Sequence, residues 1–280
     1  MNFVSTTEVI ESYKRFLEVK YPSHFQSYCK RLKNNPESAK AEAIVFSFLR
    51  SNFYDVTLAE DISTGGVDFL CKLNDVDFLV EVTCLEAEPI AVQSGWKNEF
   101  PQDGSGGSFS MITHMLRTKA SSKAAQLSGH GIPRILAITC EHVAADVLLG
   151  PHAAEILLTS DTLIEVPIGK PNEKINLINN LKDSIFFRSK NGQFESCRRS
   201  ISAILLFSIF EDKSKVVGIL HPDPGYNLPI KIFPSIPFLR MKKWPPENKM
   251  IETEWVIYKP KAEAFYHRSV EFKDNELRSK

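Results

Sequence analysis

An aspartate and a glutamate thirteen positions apart carry the chemistry that this chain offers most directly. Asp68 lies in Gly65-Gly66-Val67-Asp68-Phe69-Leu70, and Glu81 lies in Phe78-Leu79-Val80-Glu81-Val82-Thr83. A carboxylate in an apolar run is costly unless it binds something. The two runs read as the strands of a hairpin, so the pair reads as a metal site. A plainer role is open for each: Asp68 can finish the turn that Gly65-Gly66 begins, and Glu81 can form a structural salt bridge to Lys119 or Lys123.

Glu81 and Thr83 are two apart on a strand and share one face, while Val80, Val82 and Cys84 take the other. A hairpin partner can bring Asp68 to the face of Glu81. Downstream, Lys119, Lys123 and Gln126 are spaced by four and three residues and form one stripe of a helix, which Met115 and Ile112 extend. If that stripe faces the hairpin, one lysine reaches the carboxylates. Two or three carboxylate oxygens with open water positions suit Mg²⁺ or Mn²⁺, hard cations that also bind substrate phosphate.

Other constellations carry less. Cys140-Glu141-His142 with His152 lacks the usual ligand spacing of a zinc site. His221-Pro222-Asp223-Pro224 reads as a strand exit and turn. Gly104-Ser105-Gly106-Gly107 lacks the Gly-Lys-Ser/Thr ending of a phosphate loop. Local basic clusters at Lys30-Arg31-Leu32-Lys33, Arg198-Arg199 and Arg240-Met241-Lys242-Lys243-Trp244 are compatible with phosphate contact, and such runs are more often solvated surface.

The elements that must position these residues follow from periodicity. Glu8 to Val19 and Phe25 to Leu32 carry apolar residues at helical spacing. Ala39 to Asn52 is a stronger helix, with Ser38 as its cap and Ala41, Ile44, Val45, Phe48 and Leu49 as its buried stripe. Three extended runs follow, Val56 to Ala59, Val67 to Lys72 and Phe78 to Cys84, the last two joined by a polar turn. Residues 86 to 110, with two prolines and a Gly/Ser run, read as a long mobile loop. Ser110 to Leu127 is the next helix, and Pro133 to Cys140 reads as a strand covered on both faces. Beyond it, Ala144 to Thr159 looks helical, Ile201 to Phe210 and Lys215 to Leu220 look like strands, and five prolines from Pro222 to Pro237 punctuate an irregular region. Glu252 to Tyr258 adds a strand, and the tail after Lys259 reads as charged and frayed.

The 280 residues include 34 Lys plus Arg and 34 Asp plus Glu, so the whole molecule has no basic field to draw in nucleic acid. Binding of that kind needs a local patch. No apolar run approaches the roughly 20 residues of a membrane-spanning helix. The N-terminus lacks the basic flank and apolar block of a secretory signal, so no membrane association is expected. Five cysteines without a Cys-x-x-Cys pair suggest neither a disulfide framework nor a zinc ribbon, which fits a cytoplasmic protein. One domain, 1–280, is expected: an N-terminal helical region (1–37), a core (about 38–143) and a C-terminal elaboration (144–280).

Helix, three-strand meander, helix, strand, with Asp on the second strand and Glu on the third, resembles the core of the PD-(D/E)xK superfamily, the restriction-endonuclease-like nucleases. Asp68 matches the first position of the family pattern and Glu81-Val82-Thr83 the second, with Thr83 where the family has lysine. Members of the family can place the lysine on the following helix within a Lys-x-x-Gln signature, and Lys123-Ala124-Ala125-Gln126 stands there, with Lys119 one turn earlier. The resemblance covers roughly residues 38 to 140 and implies an α/β fold with a central mixed sheet flanked by helices. It also implies an acidic residue on the first core helix that helps hold the metal, for which Glu42 is the candidate.

The expected activity is therefore Mg²⁺-dependent phosphodiester hydrolysis by a nuclease, of restriction or defence type, with DNA as partner. Asp68, Glu81, Lys123, Lys119 and Gln126 form the catalytic set, and Asp68, Glu81 and Glu42 the metal set. Oligomeric state is open, a homodimer included. The alternative is a nuclease-like domain that has lost its chemistry at Thr83 and acts as a nucleic-acid-binding or protein-interaction module.

Overall fold

The computed structural model describes residues 5–52, 55–61, 65–99, 108–159, 162–165, 176–179, 184–190, 193–210, 213–246 and 251–259. Three helices open the chain: α1 (Thr6–Lys20), α2 (Pro22–Asn34) and α3 (Pro36–Ser51). Pro22 and Pro36 stand at first helical positions, where a missing N–H is harmless. Asn35, rather than the expected Ser38, caps α3: its side-chain oxygen accepts the Ser38 N–H at 3.2 Å. Pro36 then starts the helix three residues earlier than the hydrophobic stripe alone implies.

The strands β1 (Asp55–Leu58), β2 (Phe69–Leu73) and β3 (Val76–Leu85) form an antiparallel meander. Within the expected 86–110 loop the chain instead forms a helix, α4 (Ala87–Ser94), ended by Gly95 in the left-handed conformation. Burial of Ala87 and Ile90 explains that helix. The Gly104 run lies outside the described residues. Then come α5 (Phe109–Gln126) and β4 (Arg134–Cys140), which pairs parallel to β3.

The region read as one helix over 144–159 is two, α6 (Ala145–Leu148) and α7 (Pro151–Thr159), broken at Gly150-Pro151. Two small hairpins follow, β5 (Thr162–Glu165) with β6 (Asn176–Asn179) and β7 (Phe187–Lys190) with β8 (Gln193–Ser196). Strands β9 (Ala203–Phe210), β10 (Lys213–Leu220), β11 (Pro237–Met241) and β12 (Thr253–Ile257) complete one eight-stranded mixed sheet in the order β1-β2-β3-β4-β9-β10-β11-β12. The C-terminal part thus supplies half of the central sheet, and β11, not expected from the sequence, begins at the last proline of the stretch read as irregular. The frayed tail expected after Lys259 lies outside the described residues.

Both sheet faces are covered. In β4, Ile135 and Ala137 pack with the α1–α3 side, while Leu136 and Ile138 pack with the α5–α7 side. That alternation explains why all seven of its residues are buried. Gly218 in β10 stands opposite Phe238 in β11, and a Cβ there would lie 2.2 Å from the Phe238 ring. The missing side chain is the space that ring fills. The architecture is α/β, a large mixed sheet between helical layers. Among the described residues no helix is long and apolar enough to cross a membrane.

Candidate active site

Asp68 stands just before β2, not within it. Gly65 (φ 73°) and Gly66 (φ 146°) adopt conformations that a side chain would strain, and they turn the chain into the strand. Backbone pairing of β2 with β3 stops at Phe69 and Val80. The next β3 amide on that side, Val82 N–H, donates to Asp68 Oδ2 at 2.7 Å. The Asp68 carboxylate thus closes the ladder and is fixed beside Glu81.

Glu81 is central in β3 on the face that packs against α5, with Leu79 and Leu85. On α5, Ile112, Leu116 and Ala120 are buried at four-residue spacing and seat the helix on the sheet. This places the Lys119-Lys123-Gln126 stripe at the edge of that contact. Lys123 Nζ donates to Glu81 Oε1 at 2.5 Å and to Gln126 Oε1 at 3.0 Å. Gln126 Nε2 in turn donates to the Gly66 carbonyl. A chain of contacts therefore runs from Glu81 through Lys123 and Gln126 to the turn that sets Asp68. The second Glu81 oxygen, Oε2, is buried with no hydrogen-bond partner among the described residues.

These groups line a cleft of about 360 Å³ that also takes in Lys119, Thr83, Arg31 and Glu60. Thr83 lies two residues beyond Glu81 and is 8% exposed. Desolvation, and then the charge of Glu81, holds the Asp68 carboxyl well above the usual carboxylate range, partly offset by the Val82 N–H. Desolvation also raises Glu81, while the hydrogen bond and charge of Lys123 pull it back. Both carboxyls thus hold protons more readily than free ones, chiefly because burial disfavours their charged forms.

Glu42 is buried on α3 but belongs to a separate set of contacts. Tyr13 Oη donates to its Oε1 at 2.5 Å, and Arg31 Nη2 lies 2.6 Å from its Oε2. Desolvation raises its pKa and Arg31 opposes the rise. With both oxygens engaged, Glu42 stands behind Arg31, not on the cleft wall. Sequence reasoning did not find Tyr13 as a partner or Glu60 as a wall residue. Arg31 was visible only as part of a basic run, and the contact with Glu42 that fixes it is tertiary.

Among the described residues no group of three or more His, Cys, Asp and Glu side chains is arranged to hold a metal ion. The donors that do converge are two carboxylates, one with an unsatisfied buried oxygen. Hard oxygen ligands with room for water are the chemistry of Mg²⁺ and Mn²⁺, and a pair suffices for a cation that keeps most of its hydration. Two of the other histidines, and two cations of the Arg240 cluster, have structural partners. His142 donates from Nε2 to the Trp96 carbonyl and accepts the Ala144 N–H at Nδ1, and His221 bridges the Cys197 carbonyl and the Asp223 N–H in the same manner. Arg240 and Lys242 are paired with Glu254 and Glu252 across β11 and β12. The chain matches no protein-family model, no curated protein and no solved structure.

Proposed function

We propose that this protein is a metal-dependent nuclease with a restriction-endonuclease-like core, acting on DNA in the cytoplasm. The carrying observation is Glu81, with Lys123 on one oxygen and the other oxygen buried and unpartnered, beside the fixed carboxylate of Asp68 in an open polar cleft. Asp68 and Glu81 would hold the cation. Bound there, Mg²⁺ supplies Lewis acidity toward a phosphoryl oxygen and lowers the pKa of a water.

The chain's own residues do the rest. Lys123 orients the attacking water through Nζ and neutralises charge that develops as water adds to phosphorus and the P–O bond breaks, the water's proton passing through solvent to the departing oxygen. Gln126 holds Lys123 in place through its Oε1, so the displaced lysine takes the position that Thr83 leaves without a cation. Lys119 adds positive charge to the same wall. Five free cysteines, three of them buried, support a reducing compartment.

The test is incubation of the purified protein with plasmid, single-stranded DNA and RNA in Mg²⁺ or Mn²⁺. Cation-dependent cleavage that is lost in Glu81→Ala supports the reading, and no cleavage of any substrate overturns it. A second reading, a binding module without chemistry, draws on the same ion pair, because Lys123 already satisfies one Glu81 oxygen. Under it Glu81→Ala changes no activity and leaves binding intact.

A further inference from the structure

We infer, resting on the nuclease reading above, that Arg31 is a substrate-phosphate contact of the cleft: its guanidinium, pinned by buried Glu42, takes a phosphate oxygen of the bound strand. The support is geometric. Arg31 comes from α2 and lines the same cleft as Asp68, Glu81 and Lys123. Nη2 lies 2.6 Å from Glu42 Oε2, and Glu42 is itself held by Tyr13 Oη at 2.5 Å. Yet the Arg31 side chain is 40% exposed, and its Nε is buried with no hydrogen-bond partner among the described residues.

A guanidinium presents five N–H donors in one rigid plane. Neutralising Glu42 uses one edge of it. A planar fork with Nη2 held by Glu42 and part of the side chain still exposed at a polar cleft is organised to receive an oxyanion at little entropic cost. Glu60 and Asp68 line the same cleft. A cation held at Asp68 and Glu81 would offset their charge and leave the guanidinium beside them to take phosphate. With Lys123 presented by α5 and Arg31 by α2, a strand held by both lies across the two carboxylates. Glu42 is then a positioning residue, acting through Arg31.

The experiment measures binding of short fluorescent single-stranded oligodeoxynucleotides, with and without a 5′-phosphate, by anisotropy in Ca²⁺ over a salt series. Wild type is compared with Arg31→Met and Arg31→Lys, and cleavage KM and kcat are measured in Mg²⁺. Arg31→Met is expected to raise Kd about tenfold and to reduce the salt slope by about one. Arg31→Lys, which keeps a cation for Glu42 and so protects folding, is expected to keep the slope and lose affinity about threefold, with KM rising and kcat nearly unchanged. A loss for both oligonucleotides assigns an internal phosphodiester, and a loss confined to the phosphorylated one assigns a terminal phosphate. Wild-type Kd and KM in the folded variants overturn the inference while leaving cleavage, and so the nuclease reading, standing. Failure of wild type to bind either oligonucleotide overturns it too. Arg31-dependent binding without cleavage in any metal supports the contact and rejects the nuclease reading.

Discussion

Lys123 and Glu81, 42 positions apart in the sequence, meet in a hydrogen bond of 2.5 Å between a helix and the last strand of the meander. The contact joins a side chain 27% exposed to one 2% exposed, so the ammonium bridges solvent and interior. The energy of such a pair is not free. Glu81 pays a desolvation cost that one lysine only partly offsets, which is why its carboxyl remains above the ordinary range. Removing either partner should therefore be felt in both stability and activity.

Lys123→Met should lower kcat for DNA cleavage by about 10²–10³-fold while leaving cation binding in place. Lys119→Met, on the same wall but without the Glu81 hydrogen bond, should cost far less. The comparison is made by steady-state cleavage of one DNA substrate in Mg²⁺. Equal losses in the two variants would remove the distinction between the lysines.

A divalent ion should stabilise the folded protein. At a Mg²⁺ or Mn²⁺ concentration one hundred times its Kd, mass action gives about 2.7 kcal/mol, or a rise in Tm of about 5 °C for a chain of this size if it unfolds cooperatively. Asp68→Asn, which keeps an oxygen for the Val82 N–H but removes the charge, should abolish the rise. An equal rise in wild type and variant would place the cation elsewhere.

Tyr13→Phe should destabilise the protein by about 1–3 kcal/mol in urea unfolding, because Glu42 loses a hydrogen bond in a buried place. The phenol is fully buried among Phe16, Tyr28, Phe46 and Phe69, so the ring itself stays packed. If Arg31 fixes Glu42 independently of Tyr13, the Arg31→Lys and Tyr13→Phe losses should add. A coupling beyond about 0.5 kcal/mol would show one cooperative unit.

Acid should weaken the fold through His221. Burial first of all lowers its pKa from 6.5 to about 4, and the ring is held neutral between the Cys197 carbonyl and the Asp223 N–H. The folded pKa is depressed, so the unfolded chain binds the extra proton. The stability is present above pH 6.5 and is lost as pH falls toward 4, by about 3 kcal/mol. The carboxyls of Asp68, Glu81 and Glu42 shift the other way: raised in the fold, they favour it most at low pH and lose that contribution as pH rises. Unfolding free energies of wild type and His221→Gln across that range separate the two. The variant should show the shallower acid loss, and parallel curves would exclude His221 as the source.

Much of this architecture was legible in the chain. The alternation in Pro133 to Cys140 fixes a two-faced buried strand, and the apolar stripes of α1, α3 and α5 follow from helical spacing. The acids of the site were legible too, because a glutamate amid Phe78, Leu79, Val80 and Val82 has no cheap place to go. Strand β11 was hidden because it begins on a proline within a proline-rich stretch and is held by its neighbours β10 and β12, not by its own pattern.

Tertiary structure alone decided the remaining points. Sequence spacing puts Lys119 and Lys123 on one stripe, one turn apart, and cannot choose between them. The choice depends on where α5 lies along β3, which Ile112, Leu116 and Ala120 set by packing on the sheet. Glu42 likewise has a fixed place on α3, but its oxygens are claimed by Tyr13 and Arg31 from two other helices. Local sequence determines which face a side chain takes, because backbone periodicity is local. Which partner it meets there depends on how distant elements pack, and that separates the acids this sequence displays from the cleft they share with Arg31 and Lys123.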